Sequence, residues 1–269
     1  MTIAPPAQPD DLLPPPGDRR RRLLGAELLI VLGLSLGASG VYAVISFIDS
    51  ATLNVALNHQ KASLNASAAP GRPWLDLAYQ LYYIAKGLMP VVLVGYLLLR
   101  EGSSLRVLGF DLRRKLSDLG RGALVAAVIG GTGLALYFGS RAAGANLNVV
   151  PTGLPDVWWR IPVLVLSACQ NAVLEEVVVL GYLVRRLDQL GWSGRAVLVA
   201  SAVVRGSYHL YQGLGGFVGN VAMGLVFVLL YRRWGRVMPM VAAHALIDTT
   251  AFVGYALLVG HVSWLDNLS

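Results

Sequence analysis

Apolar runs of about twenty residues recur along this chain, and that length sets what it can fold into. At ~1.5 Å of rise per residue, such a run makes one α-helix as long as a bilayer's hydrocarbon core is thick. The first follows the "RRRR" of Arg19–Arg22 and extends to about Ile48. Further spans are predicted at about 75–99, 122–139, 160–184, 194–212, 214–231 and 237–260. The chain is 55% hydrophobic and 14% charged, against about 25% charged in a soluble domain. The expected fold is therefore an all-α polytopic membrane bundle of about seven helices. Residues 1–22, proline-rich and then basic, are expected to form a disordered cytoplasmic tail, with the transmembrane domain at 23–269. No internal repeat is visible.

The basic residues test this layout. With the N-terminus inside, sixteen of the 22 Lys and Arg fall in inner segments and only Lys61, Arg72 and Arg141 in outer ones. This is the positive-inside bias, and it accounts for the net charge of +7 without a nucleic-acid partner. Trp74, Trp158, Trp159 and Trp264 are expected at the outer interface, Trp192 and Trp234 at the inner one. The mixed segment 103–118 is expected along the inner surface as an amphipathic helix. Abundant Arg, Ala, Gly and Val suggest a bacterial source, hence a bacterial cytoplasmic membrane. Cys169 is the sole cysteine, so no internal disulfide exists.

Against that background, a few residues do not belong in lipid. A charge at the centre of a span costs roughly 2.5–3.5 kcal/mol on insertion scales, yet Glu27, Lys86, Glu175, Glu176, Arg205, His209, His244 and Asp248 all fall within or near spans. Glu27 lies close to a span end and is expected to reach the headgroups. Lys86 lies deeper, either as a counter-charge or as a snorkelling lysine. The other six reach one layer. Counted from the inner arginines, the glutamates lie ~15 Å deep, His209 ~21 Å, His244 ~12 Å and Asp248 ~18 Å. His244 and Asp248 are four apart, so they share a helix face, as do Arg205 and His209. Glu175 and Glu176 diverge by ~100°, so one is expected to face the site while the other pairs with a neighbour such as Arg205. Asn171, one turn before Glu175, can line the same side. Asn220 is as readily a helix-packing amide as a site residue.

Two histidines and three carboxylates suit two hydrolytic chemistries. In one, His209 and His244 bind a divalent metal, zinc best, which acidifies its water. In the other, a buried glutamate is general base toward water while histidine and Asp248 stabilise the oxyanion. An ion relay in a transporter is a non-catalytic third option, although the repeated halves and matched broken helices of many transporters are absent.

The motifs "EEVVVLGYL", "RGSYHLYQG" and "HALID", in that order over about residues 160–252, resemble the CPBP (Abi) family of intramembrane metalloproteases, which includes the type II CAAX prenyl endopeptidases. The loop "YRRWGRVMPMVAAH" fits as well. The resemblance implies endopeptidase cleavage of a membrane-associated, CAAX-type protein or peptide substrate. It implies Glu175 as the water-activating glutamate with Glu176 as partner. His209, His244 and Asp248 would complete a metal site or oxyanion hole. Two positions depart from the family pattern. Leu180 stands where the family has arginine after the glutamates, and Arg205 stands where the second motif begins with phenylalanine. The swap suggests that Arg205 supplies the missing guanidinium to Glu176 from the next helix. The alternative is a family member without catalysis, serving as a membrane scaffold or immunity protein.

Overall fold

A computed structural model describes residues 16–262. Helices α1 (Pro16–Gly33) and α2 (Leu36–Thr52) meet at a bend of 52°, where Gly33 and Ser35 weaken the helical ladder. Then come α3 (Pro73–Arg100), α4 (Lys115–Ala142) and α5 (Arg160–Glu175). The rod begun by α5 continues through a π-helical segment, Glu176–Leu183, into α6 (Val184–Gln189). Helices α7 (Gly194–Ser207), α8 (Leu214–Trp234) and α9 (Met238–Leu258) complete the bundle. Two short strands that were not expected, β1 (Lys61–Asn65) and β2 (Asn148–Thr152), pair in parallel with Lys61 opposite Asn148.

Five of these helices are long and apolar enough to cross a membrane by themselves: α3, α4, the α5–α6 rod, α8 and α9. The bent α1–α2 pair is a sixth if it crosses as one. The seventh predicted span, 194–212, is α-helical for only 14 residues, ~21 Å of rise against a hydrocarbon core of ~30 Å. The tail needs a correction too. Its described part, from Pro16 to Arg22, is the opening of α1 rather than disordered, and residues 1–15, like Trp264, lie outside the described residues. Segment 103–118 holds a 3-10 turn at Leu105–Leu108 and the start of α4 rather than an amphipathic helix of its own.

The α5–α6 rod is the axis. Its most apolar window is 61% buried, whereas the other four spans are between 6% and 33% buried, so its neighbours face lipid and it does not. Val177, Val178 and Tyr182 of the π segment join Leu98, Leu108, Phe227 and Met240 in the main core. Gly181 lets Leu108 and Val237 approach the rod closely, and the Ser201 hydroxyl donates to the Val179 carbonyl at 3.0 Å. A π turn leaves its backbone less evenly paired than an α turn, and Ser201 supplies one of the outside partners.

At the arginine-rich end two buried guanidinium groups tie separate segments together. Arg186, with no exposed surface, meets Glu101 at 2.7 Å and Glu27 at 3.5 Å and lies 4.7 Å from the Tyr182 ring centroid. Glu27 thus pairs within the protein instead of reaching for headgroups, because the rod brings Arg186 to it. Arg236 takes Asp111 at 3.1 Å and Asp118 at 2.7 Å, which pins the 103–118 segment. Gly109, at φ +70°, packs its backbone on Arg236, where a Cβ would collide. The Arg236 guanidinium holds the Asp111 carboxyl below its ordinary range. A carboxyl depressed in the folded state stabilises above its unfolded pKa and loses that contribution as pH falls through the folded one. Asp111→Asn should therefore lower the melting temperature in detergent at neutral pH. The gap to wild type should narrow as pH drops below about 4, which melting curves across pH would show.

Candidate active site

The site forms where the rod, α7 and α9 meet. Helix α7 starts at the arginine-rich end with Ser193 as its N-cap, accepting from Ala196 N at 3.3 Å. It stops at Ser207, followed by a 3-10 turn at Leu210–Gln212 and by Gly213 at φ +110°. Non-helical backbone at membrane depth persists only where protein or water satisfies its polar groups. Here the loop after α4 does so. Leu147 N donates to the Gln212 carbonyl at 3.0 Å, Leu214 N to the Ala145 carbonyl at 3.0 Å, and Gly216 N to Asn146 Oδ1 at 3.1 Å. Gly206 brings α8 close beneath the turn, and Gly40 does the same for α2. The broken helix thus delivers Arg205, Tyr208 and His209 to one place.

Arg205 sits at the centre. It is 2% exposed and lies with its guanidinium 5.0 Å from the Phe227 ring centroid. Its Nη1 donates to Glu176 Oε1 at 3.0 Å, and its Nη2 bonds the same oxygen. Nη2 is also 3.4 Å from Glu175 Oε2 and 3.5 Å from His244 Nδ1. The expected guanidinium from the second motif therefore reaches Glu176, while Leu180 is buried in the core. The two glutamates diverge less than their ~100° separation implied. Both flexible side chains turn to the same cation, and both carboxylates lie in one cluster with His244.

Around Glu175, Oε2 accepts from the Tyr208 hydroxyl at 2.8 Å and lies 3.7 Å from His209 Nε2. One hydrogen bond and two cationic or imidazole nitrogens thus converge on one carboxylate oxygen, and among the described residues no hydrogen bond engages Oε1. His209 Nδ1 lies 3.4 Å from the Gln212 amide, and its Nε2 is buried with no hydrogen-bond partner. His244 spans two carboxylates. Its Nδ1 is 2.8 Å from Glu176 Oε1, so the proton on that contact belongs to Nδ1, since a carboxylate only accepts. Its Nε2 faces Asp248 Oδ2 at 3.5 Å. Asp248 is the most exposed of these groups, its side chain 20% accessible.

The five residues expected in catalysis, with Arg205, are therefore neighbours. Asn171 lies half-buried one turn before Glu175 on α5. Asn220 donates to the Gly216 carbonyl of its own helix at 3.0 Å, a bond that ties it neither to the cluster nor to a neighbouring helix. Sequence reasoning missed Tyr208 and Gln212. The signal was present, because Tyr208 stands three residues after Arg205 and beside His209, but a tyrosine near a membrane interface is commonplace.

Glu175, Glu176 and His244 offer ligand atoms that all lie within 4.8 Å of one another, and this is the group among the described residues with the compactness of a metal site. His209, expected as a ligand, stands outside it, beyond Glu175. As arranged, the donors do not suit a divalent ion. Arg205 already occupies Glu176 and borders Glu175, Nδ1 of His244 is spent on Glu176, and Nε2 faces Asp248.

Removing one partner of a buried ion pair costs roughly 3–5 kcal/mol. Arg205→Leu should unfold the protein earlier by about that amount, and Leu180→Arg added to it should restore part of the loss, read as melting temperature in detergent. A double mutant no better than the single would show that position 180 cannot reach Glu176.

Residues 157–250 match the family model described as type II CAAX prenyl endopeptidase Rce1-like. Every residue of the cluster falls inside that stretch. No curated protein and no solved structure matches the chain.

Proposed function

We propose that this integral membrane protein, whose residues 157–250 match the model of the Rce1-like type II CAAX prenyl endopeptidases, is a member of that family and an intramembrane endopeptidase that activates water with Glu175. The observation that carries this reading is the asymmetry of Glu175. Its Oε2 is fixed by Tyr208 and flanked by Arg205 and His209, which leaves Oε1 as the atom to take a proton. Family membership supports a protease acting on a membrane-associated substrate, and the cluster supplies the parts.

In the proposed reaction a water molecule at Glu175 Oε1 attacks the carbonyl carbon of the scissile peptide and gives its proton to that carboxylate. The carbonyl π electrons move onto oxygen. His209 Nε2, buried 3.7 Å from Glu175 Oε2 and making no hydrogen bond, is the donor placed to meet that oxyanion, and the Gln212 amide beside Nδ1 holds its ring. Collapse of the intermediate expels the amine, which takes the proton back from Glu175. Glu176 and Arg205 take no proton in this scheme. They hold His244 and Glu175 in place, and Asp248 fixes the far side of the imidazole.

Zinc bound by Glu175, Glu176 and His244 is the second reading, favoured by the compactness of those three. It requires Arg205 to release Glu176, and no step above uses it. Two measurements decide. Glu175→Gln should abolish cleavage of a membrane peptide by the purified protein while leaving it folded, with a melting temperature lowered by the weakened contact to Arg205. Wild-type activity should survive exhaustive chelation. Activity lost to chelator and restored by zinc would instead assign the ion to this cluster. Tyr208→Phe keeps the ring and deletes one hydrogen bond to a carboxylate, roughly 1.5–3 kcal/mol. It should lower kcat by about tenfold to a hundredfold.

A further inference from the structure

Among the described residues, Lys86 is the deep lysine that the cluster leaves unused. It stands thirteen residues after Pro73 and fourteen before Arg100 on α3, at the middle of a helix ~42 Å long. The headgroups are ~15 Å away in either direction, far for a four-carbon stem to snorkel. Its side chain is exposed. In plain hydrocarbon that position costs roughly 2.5–3.5 kcal/mol, a cost that an anion beside the ammonium would offset.

The packing of α3 on α5 says which way it faces. The two helices run the same way, since Trp74 and Trp158 meet at one end with ring centroids 6.2 Å apart and Glu101 meets Arg186 at the other. Gly87 is seated on the Gln170 amide, where a Cβ would collide. For parallel right-handed helices in contact at Gly87 and Gln170, the residue before the first and the residue after the second fall on the same side of the seam. Those residues are Lys86 and Asn171. Asn171 is one turn before Glu175, so the side of α3 that bears Lys86 is the side on which α5 presents its site face. Helix α2 packs on α7 and on the turn after it, whereas α3 packs on α5.

We propose that Lys86, with Asn171 beside it, binds a carboxylate of the substrate and so sets which bond is presented to Glu175. This rests on the hydrolase reading for the word substrate, but not for the binding itself. Five residues separate Gln170 from Glu175, ~7.5 Å along the rod, or two to three residues of extended peptide at ~3.3 Å each. The carboxylate recognised is therefore two or three residues from the scissile bond. It is either a chain terminus or an acidic side chain.

The test uses the full chain carrying Glu175→Gln in nanodiscs, so that peptide binds uncut. The probes are one hydrophobic, N-acylated peptide ending in a free acid or an amide, and the amidated form with Asp or Asn third from its end. A charge-assisted contact of roughly 1.5–3 kcal/mol predicts about tenfold or more tighter binding of the charged member of a pair. Lys86→Met should remove that preference and Lys86→Arg should keep it. A preference within the acid and amide pair assigns the terminus, and one within the Asp and Asn pair assigns the side chain. Equal binding within both pairs, or a preference that survives Lys86→Met, overturns the proposal. Wild-type protein given the same peptides separates the two readings. Cleavage without charge preference leaves the hydrolase and removes the Lys86 role, while preferential binding with no cleavage does the reverse.

Discussion

One guanidinium decides how this site can exist inside a membrane. Arg205 contacts a carboxylate that has no exposed surface, lies 3.4 Å from a second, and is 3.5 Å from an imidazole. Without it, Glu175 and Glu176 would be two adjacent carboxylates in a region of low dielectric, where like charges repel strongly and desolvation goes uncompensated. With it, three structural elements are drawn to one point: the rod through the glutamates, α7 through Arg205 itself, and α9 through His244. The two buried clusters at the arginine-rich end follow the same logic. Arg186 and Arg236 each collect two acidic side chains, the first joining α1 and the end of α3 to the rod, the second holding the 103–118 segment to the α8–α9 connection.

The geometry of the rod matters as much as the charge. The rod passes into π winding at Glu176, packed by aliphatic neighbours and bonded by Ser201, and the side chains of Glu175 and Glu176 bend from diverging positions to meet Arg205. On α7 the helix simply ends, and the chain turns through Tyr208 and His209 before α8 begins. Both irregularities sit at the reacting layer. Both are paid for locally, by side-chain and loop hydrogen bonds rather than by lipid.

Much of this was legible in the residues. Intramembrane charge is costly enough that Glu175, His209, His244 and Asp248 at matching depths already implied a meeting point, and the Arg205-for-Leu180 exchange already implied who neutralises Glu176. What misled was treating each element as ideal. The 194–212 run looked like a span because its apolar content continues past Ser207, and only the docking of residues 145–147 onto the turn reveals that the helix stops. Glu27 looked like a headgroup ligand because its partner, Arg186, is 159 residues away in sequence.

The sequence by itself determined the phase the protein dissolves in, the helical class, the charge asymmetry of its ends and the identity of the polar layer. Those follow from transfer free energies and from helical periodicity, which are local. The tertiary structure decided which oxygen of Glu175 is held and which is left, that His244 bridges Glu176 and Asp248, that His209 stands outside the compact group, and which side of α3 Lys86 shares with Asn171. Those depend on how helices distant in sequence pack against each other, and the glycines at 87, 181 and 206 set the closeness of that packing. A one-dimensional pattern does not contain it.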